Sequence, residues 1–305
     1  MEGNSAVLAF DQILEKIDAL DGALSKSTLY AYRRAVVSFD QLCSQNLCEA
    51  FPATEHSLVH WIEMLSQTCG PRTIQGYLAS LHAVHRIMEW PWVGEAISIQ
   101  HAIRKLYRIR GSAPRQAFGI THEMRDAMIA AADPDSLEGT MHRALIRTGY
   151  ETLFRGAELR GLQVHDVSRR SRGGYDIHLG QSKTDQVWKG FWIVVSDPCA
   201  ELLDAWIERA GLESGFIFRR CSADRVSDKP LTPCMHRLIY RELAVRAGFP
   251  ADTVARIGTH SMRVGCAQDM VRHGYSLAQI MRRGNWSNSE MVARYTEATA
   301  LQPMF

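Results

Sequence analysis

The chain has 305 residues, a formal net charge of +2, and a composition that is 46% hydrophobic and 22% charged, which predicts two globular domains. It holds no apolar run of eighteen residues and no amino-terminal signal pattern, so we expect neither a membrane span nor secretion. Its seven scattered cysteines contain no C-x-x-C pair, which excludes a disulfide framework or zinc cluster and favours a reducing cytoplasm.

The first 110 residues show helical periodicity. Ile74, Leu78, Leu81 and Val84 recur at spacings of four and three, after a proline in a first-turn position. Ser27 is a candidate N-cap for an earlier helix. Helices are predicted at AFDQILEKIDALDGAL, TLYAYRRAVVSFDQLCSQ, EHSLVHWIEMLSQ, PRTIQGYLASLHAVHRIMEW and WVGEAISIQHAIRKLYRIR. Residues 1–110 therefore form an all-helical first domain.

The periodicity stops in RIRGSAPRQAFG, so residues 111–118 are predicted to be an interdomain linker. Helical patterns resume at THEMRDAMIAAAD and EGTMHRALIRTGYETLF. Tyr175, Ile177 and Leu179 alternate with polar residues, and the segment 187–195 is rich in Val, Trp and Phe, which predicts two antiparallel strands. RRCSADRVSDKPLTP and GFPADTVARIG are predicted loops. The fold class is mainly α, with a second domain, 119–305, that carries one small antiparallel sheet.

Several chemistries lack their sequence signals. The chain has no G-x-x-x-x-G-K-[ST] or G-x-G-x-x-G loop and no G-x-S-x-G elbow. His82 and His85 share a helix but have no third ligand nearby, so we predict no metal and no cofactor. Residues 1–110 hold 10 Lys and Arg against 11 Asp and Glu, and residues 111–305 hold 25 against 22. Bulk charge therefore does not decide whether the partner is nucleic acid.

Another set of side chains suits chemistry on a phosphodiester. That reaction needs planar cations to hold two phosphate oxygens, a nucleophile, and an acid for the leaving oxygen. The residues that could supply these groups occur in the order Arg155, with Glu158 three residues later, Lys183, His260, Arg263, Trp286 and Tyr295.

Each of these residues also has an ordinary structural interpretation. Arg155 and Glu158 could form a plain helix ion pair, and Lys183 could be a solvated turn residue. His260 and Trp286 could be core residues, and Tyr295 could be part of an amphipathic helix. The joint order, rather than any single residue, favours the catalytic interpretation.

In that order and local context, the chain resembles the tyrosine recombinases of the phage integrase family, most closely their Cre-like branch. The similar segments are LFRGAELRGL, GYDIHLGQSKT, PRTIQGYLASLHAVHRI and HSMRVGCAQDMVRHGYSLAQIMRRGNWSN, and the resemblance spans roughly residues 20–297. It implies a helical core-binding domain followed by an α-rich catalytic domain.

The resemblance also implies roles. Arg155 and Arg263 would clamp the scissile phosphate, and Lys183 would protonate the leaving 5′ oxygen. His260 would hydrogen-bond the phosphate or assist proton transfer at Tyr295, the nucleophile that forms a 3′-phosphotyrosyl link. Trp286 would be the sixth catalytic residue, because its indole N–H can donate to a phosphate oxygen, although it cannot shuttle a proton. Glu158 would support the site by orienting the basic groups.

A Cre-like protein would read bases in the major groove with helices of the first domain. The candidate DNA contacts are Arg72, Thr73 and Gln75 at the start of one helix, with Arg34 and Tyr30 on another. Because this domain is close to neutral, we expect it to make few phosphate contacts and to bind with a shallow salt dependence.

The implied partner is double-stranded DNA with an inverted-repeat site, bound in the nucleoid by a homotetramer on two sites, with strand exchange through a Holliday junction. Ten residues follow Tyr295, which we expect to be too few for a robust further helix between protomers.

Alternatives stay open: a non-catalytic DNA-binding regulator on the same fold, a type IB topoisomerase or telomere resolvase, and lastly a metal-dependent nuclease. The target sequence and any accessory proteins are not predicted.

Overall fold

The structure, a computed structural model, describes residues 3–46, 49–111, 116–180, 190–222 and 225–296. The chain divides into two compact units, Met1–Arg115 and Gln116–Phe305. This boundary lies within the segment 111–118, but the last residues of that segment belong to the second unit. There the backbone N–H of Phe118 donates to the carbonyl of Arg256 at 3.2 Å.

The described part of the first unit is helical. Its helices are α1 (Gly3–Asp18), α2 (Lys26–Gln45), α3 (Glu55–Thr68), α4 (Pro71–Ile87) and α5 (Ile97–Arg110). Their apolar faces meet in one core, in which the rings of Phe39 and Trp61 pack edge to face at 5.1 Å and Ile74 and Leu81 are fully buried. The regularly spaced apolar residues of α4 are therefore the ones that its inner face buries.

Several predicted helix starts or ends in this unit were wrong. Helix α1 ends at Asp18, because the chain turns through Gly22 at a φ of 87°. Ser25 caps α2 in place of Ser27, since its hydroxyl accepts from the Thr28 N–H. Helix α5 begins at Ile97, because the preceding segment is held by Trp92, whose ring stacks on His82 at 4.9 Å.

The second unit is mainly helical with small antiparallel sheets, which confirms the predicted fold class. Its elements are α6 (His122–Ala130), α7 (Leu137–Thr152), α8 (Gly156–Gly161), a 3₁₀ helix (Val164–Asp166), β1 (Val167–Arg169), β2 (Tyr175–Leu179), β3 (Phe191–Val195), α9 (Asp197–Arg209), β4 (Arg219–Ser222), β5 (Arg225–Pro230), α10 (Pro233–Arg246), α11 (Ala251–Arg256), α12 (Ser261–Arg272), α13 (Leu277–Arg283) and α14 (Ser289–Thr296). Helix α7 lies at the centre of the core and packs against α9, α6 and α12.

The main sheet has the order β1-β2-β3, and β2 pairs antiparallel with both neighbours. Tyr175, Ile177 and Leu179 all face the core, as their alternation predicts. Lys183 lies outside the described residues, between β2 and β3.

Two predicted loops of the second unit contain regular structure. RRCSADRVSDKPLTP includes the antiparallel pair β4 and β5, which the pattern misses because these strands are polar and bury little of their surface. GFPADTVARIG includes α11, whose six residues are too short to show a helical period. Among the described residues, no helix combines the length and apolarity needed to cross a membrane.

Candidate active site

Arg263 is a buried cation held by backbone carbonyls. Its side chain is carried by α12 and the residue is 3% exposed. The guanidinium donates to the carbonyl of Leu153 and, at 2.7 Å, to that of Gly284. Burial, and then the nearby Arg155, lower its pKa to about 10. The group therefore stays charged at neutral pH, and an anion placed beside it would be stabilised.

Backbone turns place both carbonyl acceptors. Leu153 ends α7 in the left-handed conformation, with a φ of 53°, and thereby directs the chain into α8. Gly284 ends α13, and Asn285 after it has a φ of 49°. Each turn exposes a carbonyl that no helix hydrogen bond uses, so the two turns fix the plane of the Arg263 guanidinium.

Arg155 occupies the N-cap position of α8 and is fixed twice by Glu158. One carboxylate oxygen of Glu158 accepts from the Arg155 backbone N–H at 2.7 Å, and the other accepts from its guanidinium at 2.6 Å. The arginine side chain is 25% exposed and that of Glu158 is 7% exposed. The pair is thus a helix cap that leaves part of the guanidinium open to solvent.

His260 occupies the N-cap position of α12 and is exposed. Its pKa is lowered from the ordinary value because neighbouring protein atoms remove part of its solvation and because Arg263 and Arg155 are close. At neutral pH the imidazole is therefore largely neutral, with one nitrogen able to accept a proton or hydrogen bond.

Trp286 and Tyr295 complete the cluster. Trp286 is 8% exposed; the Arg263 guanidinium carbon lies 4.2 Å from its ring centroid, and the Tyr295 ring lies 5.7 Å away. Tyr295 is half-buried in α14, and its phenol lies close enough to Arg263 to influence the pKa of that guanidinium. Helix α14 docks through Val292, which is 1% exposed.

The structure thus brings five of the predicted catalytic residues to one place: Arg155, His260, Arg263, Trp286 and Tyr295. They come from α8, α12, the turn after α13, and α14, with Glu158 behind Arg155. The sixth, Lys183, is not among the described residues.

The predicted DNA contacts of the first unit lie on two helices that pack together, α2 and α4. Tyr30, Arg34, Arg72, Thr73 and Gln75 are all exposed. The Arg34 guanidinium lies 4.8 Å from the ring centroid of Tyr77 on α4, so the exposed faces of the two helices adjoin.

Sequence reasoning missed contacts made by ordinary polar groups. Gln116 and Gln268 donate to the Tyr295 carbonyl. Arg160 lies 3.3 Å from Nδ1 of the buried His236, next to the Arg155 helix turn. No spacing or motif signals such contacts, because they join segments that are distant in sequence.

His82 and His85 do not act as a metal pair in this fold. His85 is fully buried, with Nε2 accepting from the Ala53 N–H at 3.0 Å and Nδ1 lying 2.9 Å from the Leu81 carbonyl. His82 stacks on Trp92. Among the described residues, no three His, Cys, Asp or Glu side chains form a group that could hold a metal ion.

Comparison with known proteins agrees with this geometry. Residues 120–301 match the model described as the phage integrase family. The chain is 26% identical over 276 residues to the recombinase cre of Escherichia phage P1, covering 83% of this chain and 78% of that protein. It is 25% identical over 300 residues to an integrase/recombinase xerD homolog of Selenomonas ruminantium, covering 91% and 83%.

Solved structures share the fold. The XerH site-specific recombinase, bound to a palindromic difH substrate in a post-cleavage complex, has a TM-score of 0.67 at 15% identity and covers 90% of this chain and 79% of its own. The Tn1549 transposon integrase in complex with circular intermediate DNA has a TM-score of 0.64 at 14% identity, covering 96% and 99%.

Proposed function

The chain belongs to the phage integrase family of tyrosine recombinases, and from that premise we propose that it cleaves and rejoins duplex DNA at a specific site through a covalent link to Tyr295. The observation that carries this proposal is the position of Tyr295, beside Arg263 and Trp286, with Arg155 and His260 in the same cluster.

In the first step, the Tyr295 oxygen attacks phosphorus and the bond from phosphorus to the 5′ oxygen breaks. The phenol proton passes to neutral His260, and the 5′ oxygen takes a proton from Lys183, which lies outside the described residues. The products are a 3′-phosphotyrosine and a free 5′ hydroxyl. A 5′ hydroxyl of another strand reverses the same steps, so no external energy is consumed.

Arg155 and Arg263 would hold the two nonbridging oxygens as negative charge grows on them. Arg263 is suited to this because its buried charge has carbonyl partners but no carboxylate among the described residues. Glu158 neutralises Arg155 only from one side, which leaves the outer side for phosphate. With these charges supplied by the protein, we propose a reaction that needs neither metal nor cofactor.

The proposed partner is double-stranded DNA with an inverted-repeat site in the nucleoid. We propose that residues 1–110 are the core-binding domain and residues 119–305 the catalytic domain. Tyr30, Arg34, Arg72, Thr73 and Gln75 would contact DNA, because all five side chains are exposed on two helices that pack together. We propose that a homotetramer uses this chemistry to exchange strands between two such sites, through a Holliday junction.

Covalent trapping tests the proposal. Inverted-repeat DNA from around the gene is nicked near the repeat centre, so that the short cleaved end diffuses away, and is mixed with protein in EDTA. We expect a protease-sensitive, denaturation-resistant adduct from the wild type and none from Tyr295→Phe. Tyr275→Phe, at a tyrosine that is 50% exposed, is the matched control and should form the adduct normally.

Other outcomes support other functions. Specific binding without an adduct would favour a non-catalytic regulator, and cleavage that EDTA abolishes would favour a nuclease. An adduct with relaxation or hairpin formation, but no exchange between two labelled sites, would favour a topoisomerase or telomere resolvase.

A further inference from the structure

The backbone carbonyl of Tyr295 is held by two side-chain amides. Tyr295 lies in α14 (Ser289–Thr296), and its carbonyl oxygen accepts two hydrogen bonds from outside that helix. Nε2 of Gln268 donates to it at 3.0 Å and Nε2 of Gln116 at 3.4 Å.

The Gln268 side chain is itself tightly packed. It is half-buried on α12, five residues after Arg263. A Cβ at Gly119 would lie 2.2 Å from the Gln268 Oε1, so the glutamine side chain occupies the space that a side chain at position 119 would need. The Ile120 N–H donates to the Ser261 carbonyl at 3.0 Å, which fastens this segment to the start of α12.

Helix α12 therefore carries both the guanidinium that the phosphate would contact and an amide that holds the backbone of the nucleophile. Helix α14 packs against α12, so contacts of this kind set its position. Small errors in the position of a nucleophile lower reaction rates strongly.

We propose that Gln268, assisted by Gln116, is a positioning residue that sets the distance between Tyr295 and the phosphate held by Arg263. This inference rests on the proposed function. Gln268 does not touch the reacting atoms, and its amide N–H, rather than its bulk, is what positions α14. Gln116 contributes less because its contact is longer.

The test compares Gln268→Met, which keeps the length of the side chain but removes the donor, with Gln268→Lys, which restores an N–H donor. The rate of adduct formation is measured on the nicked substrate at saturating protein, with DNA affinity and the unfolding midpoint measured in parallel. We expect Gln268→Met to react about tenfold more slowly with unchanged affinity, and Gln268→Lys to recover most of the rate.

Gln67→Met, on an exposed part of α3, is the matched control and should react like the wild type. A wild-type rate for Gln268→Met would overturn the proposal. Equal slowing in the Met and Lys variants would also overturn it, because the donor would then not be what matters. Adduct formation by Tyr295→Phe would instead overturn the proposed function, and it is scored in the same gel.

Discussion

Burial shapes the side chain of Arg263, the proposed phosphate clamp. Its charge is removed from solvent, its hydrogen bonds go to the carbonyls of Leu153 and Gly284, and its face lies on Trp286. This arrangement needs a planar group with several donors in fixed directions, which lysine does not have.

Arg263→Lys should therefore lower the rate of adduct formation by about 10²- to 10³-fold. A lysine in this place would reach at most one carbonyl, and burial would lower its pKa and favour its neutral form. The rate is measured at saturating protein on the nicked substrate. Arg220→Lys, at an exposed position of β4, makes the same change away from the site and should have no effect; comparable rates for the two variants would contradict the assigned role.

His236 is a buried histidine whose charge the fold opposes. It is fully buried against Tyr240, and burial, with the neighbouring Arg160, lowers its pKa to about 3. The unfolded chain takes up a proton near pH 6.5, whereas the folded chain does so only near pH 3. The folded state is therefore penalised progressively as the pH falls below 6.5, and is unaffected above it.

We expect the free energy of unfolding of the wild type to fall with decreasing pH between 6.5 and 4, with a contribution from His236 of up to about 1.4 kcal/mol per pH unit. His236→Gln should have a shallower slope over this range, though a lower stability at pH 8. Urea unfolding at several pH values measures both. The variant His56→Gln, at an exposed position, should leave the slope unchanged. An identical slope for His236→Gln would show that other groups cause the acid sensitivity.

At the scale of elements, the charge of the first unit is concentrated on α5. This helix carries Arg104, Lys105, Arg108 and Arg110 and no acidic residue. The first three, with His101, line an open groove of about 550 Å³. Among the described residues, they pair with no carboxylate, whereas Arg33 pairs with Asp18. The near-neutral composition predicts few phosphate contacts and a shallow salt dependence, but it conceals a cationic surface that suits a phosphate backbone. From this surface we expect a steeper salt dependence than the composition predicts.

Removal of two of these cations should flatten the salt dependence of DNA binding. For Arg104→Gln with Lys105→Gln, we expect the slope of log K against log salt concentration to decrease by up to about 1.8, with affinity falling similarly for specific and unrelated DNA. Lys16→Gln with Lys26→Gln removes the same charge from exposed positions of α1 and α2 and is the control. Equal changes in slope for both pairs would mean that α5 acts only through net charge.

The sequence predicts long elements better than short ones, for a physical reason. The inner face of α4 must be apolar at helical spacing, so Ile74 and Leu81 reveal it. Strands β4 and β5 are polar, and α11 is too short to show a helical period. None of these three elements therefore has a recognisable pattern of apolar residues in the sequence.

In the candidate site, the sequence likewise predicts the chemical groups better than the contacts that hold them. Arg155, His260, Arg263, Trp286 and Tyr295 are recognisable by residue type and order. Their supports are not, because the Leu153 carbonyl and the Gln268 amide are groups that almost any sequence could supply. Local backbone geometry brings these two groups to the site. The left-handed turn at Leu153 presents its carbonyl, and the close approach of Gly119 leaves the space that the Gln268 side chain fills.

At the scale of the whole molecule, each unit has its own hydrophobic core, and the described hydrogen bonds of residues 116–120 all go to the second unit. Two of them bear on the position of the boundary. Gln116 donates to Tyr295, and Phe118 donates to Arg256 while its ring lies 5.4 Å from the Arg256 guanidinium carbon. These contacts anchor residues 116–118 to the second unit.

A fragment that begins at Gln116 should consequently fold cooperatively and be more stable than one that begins at Gly119. The shorter fragment loses the Gln116 and Phe118 hydrogen bonds and the contact between the Phe118 ring and Arg256, for an expected cost of about 1–3 kcal/mol in urea unfolding. It should also form the Tyr295 adduct more slowly, because the carbonyl of the nucleophile loses one of its two donors. Both fragments lack α2, α4 and α5 and should bind DNA equally weakly, so a difference in adduct rate at saturating protein reports on Tyr295 itself. Equal unfolding midpoints and equal rates would place the boundary at residue 119 and make residues 116–118 part of the linker.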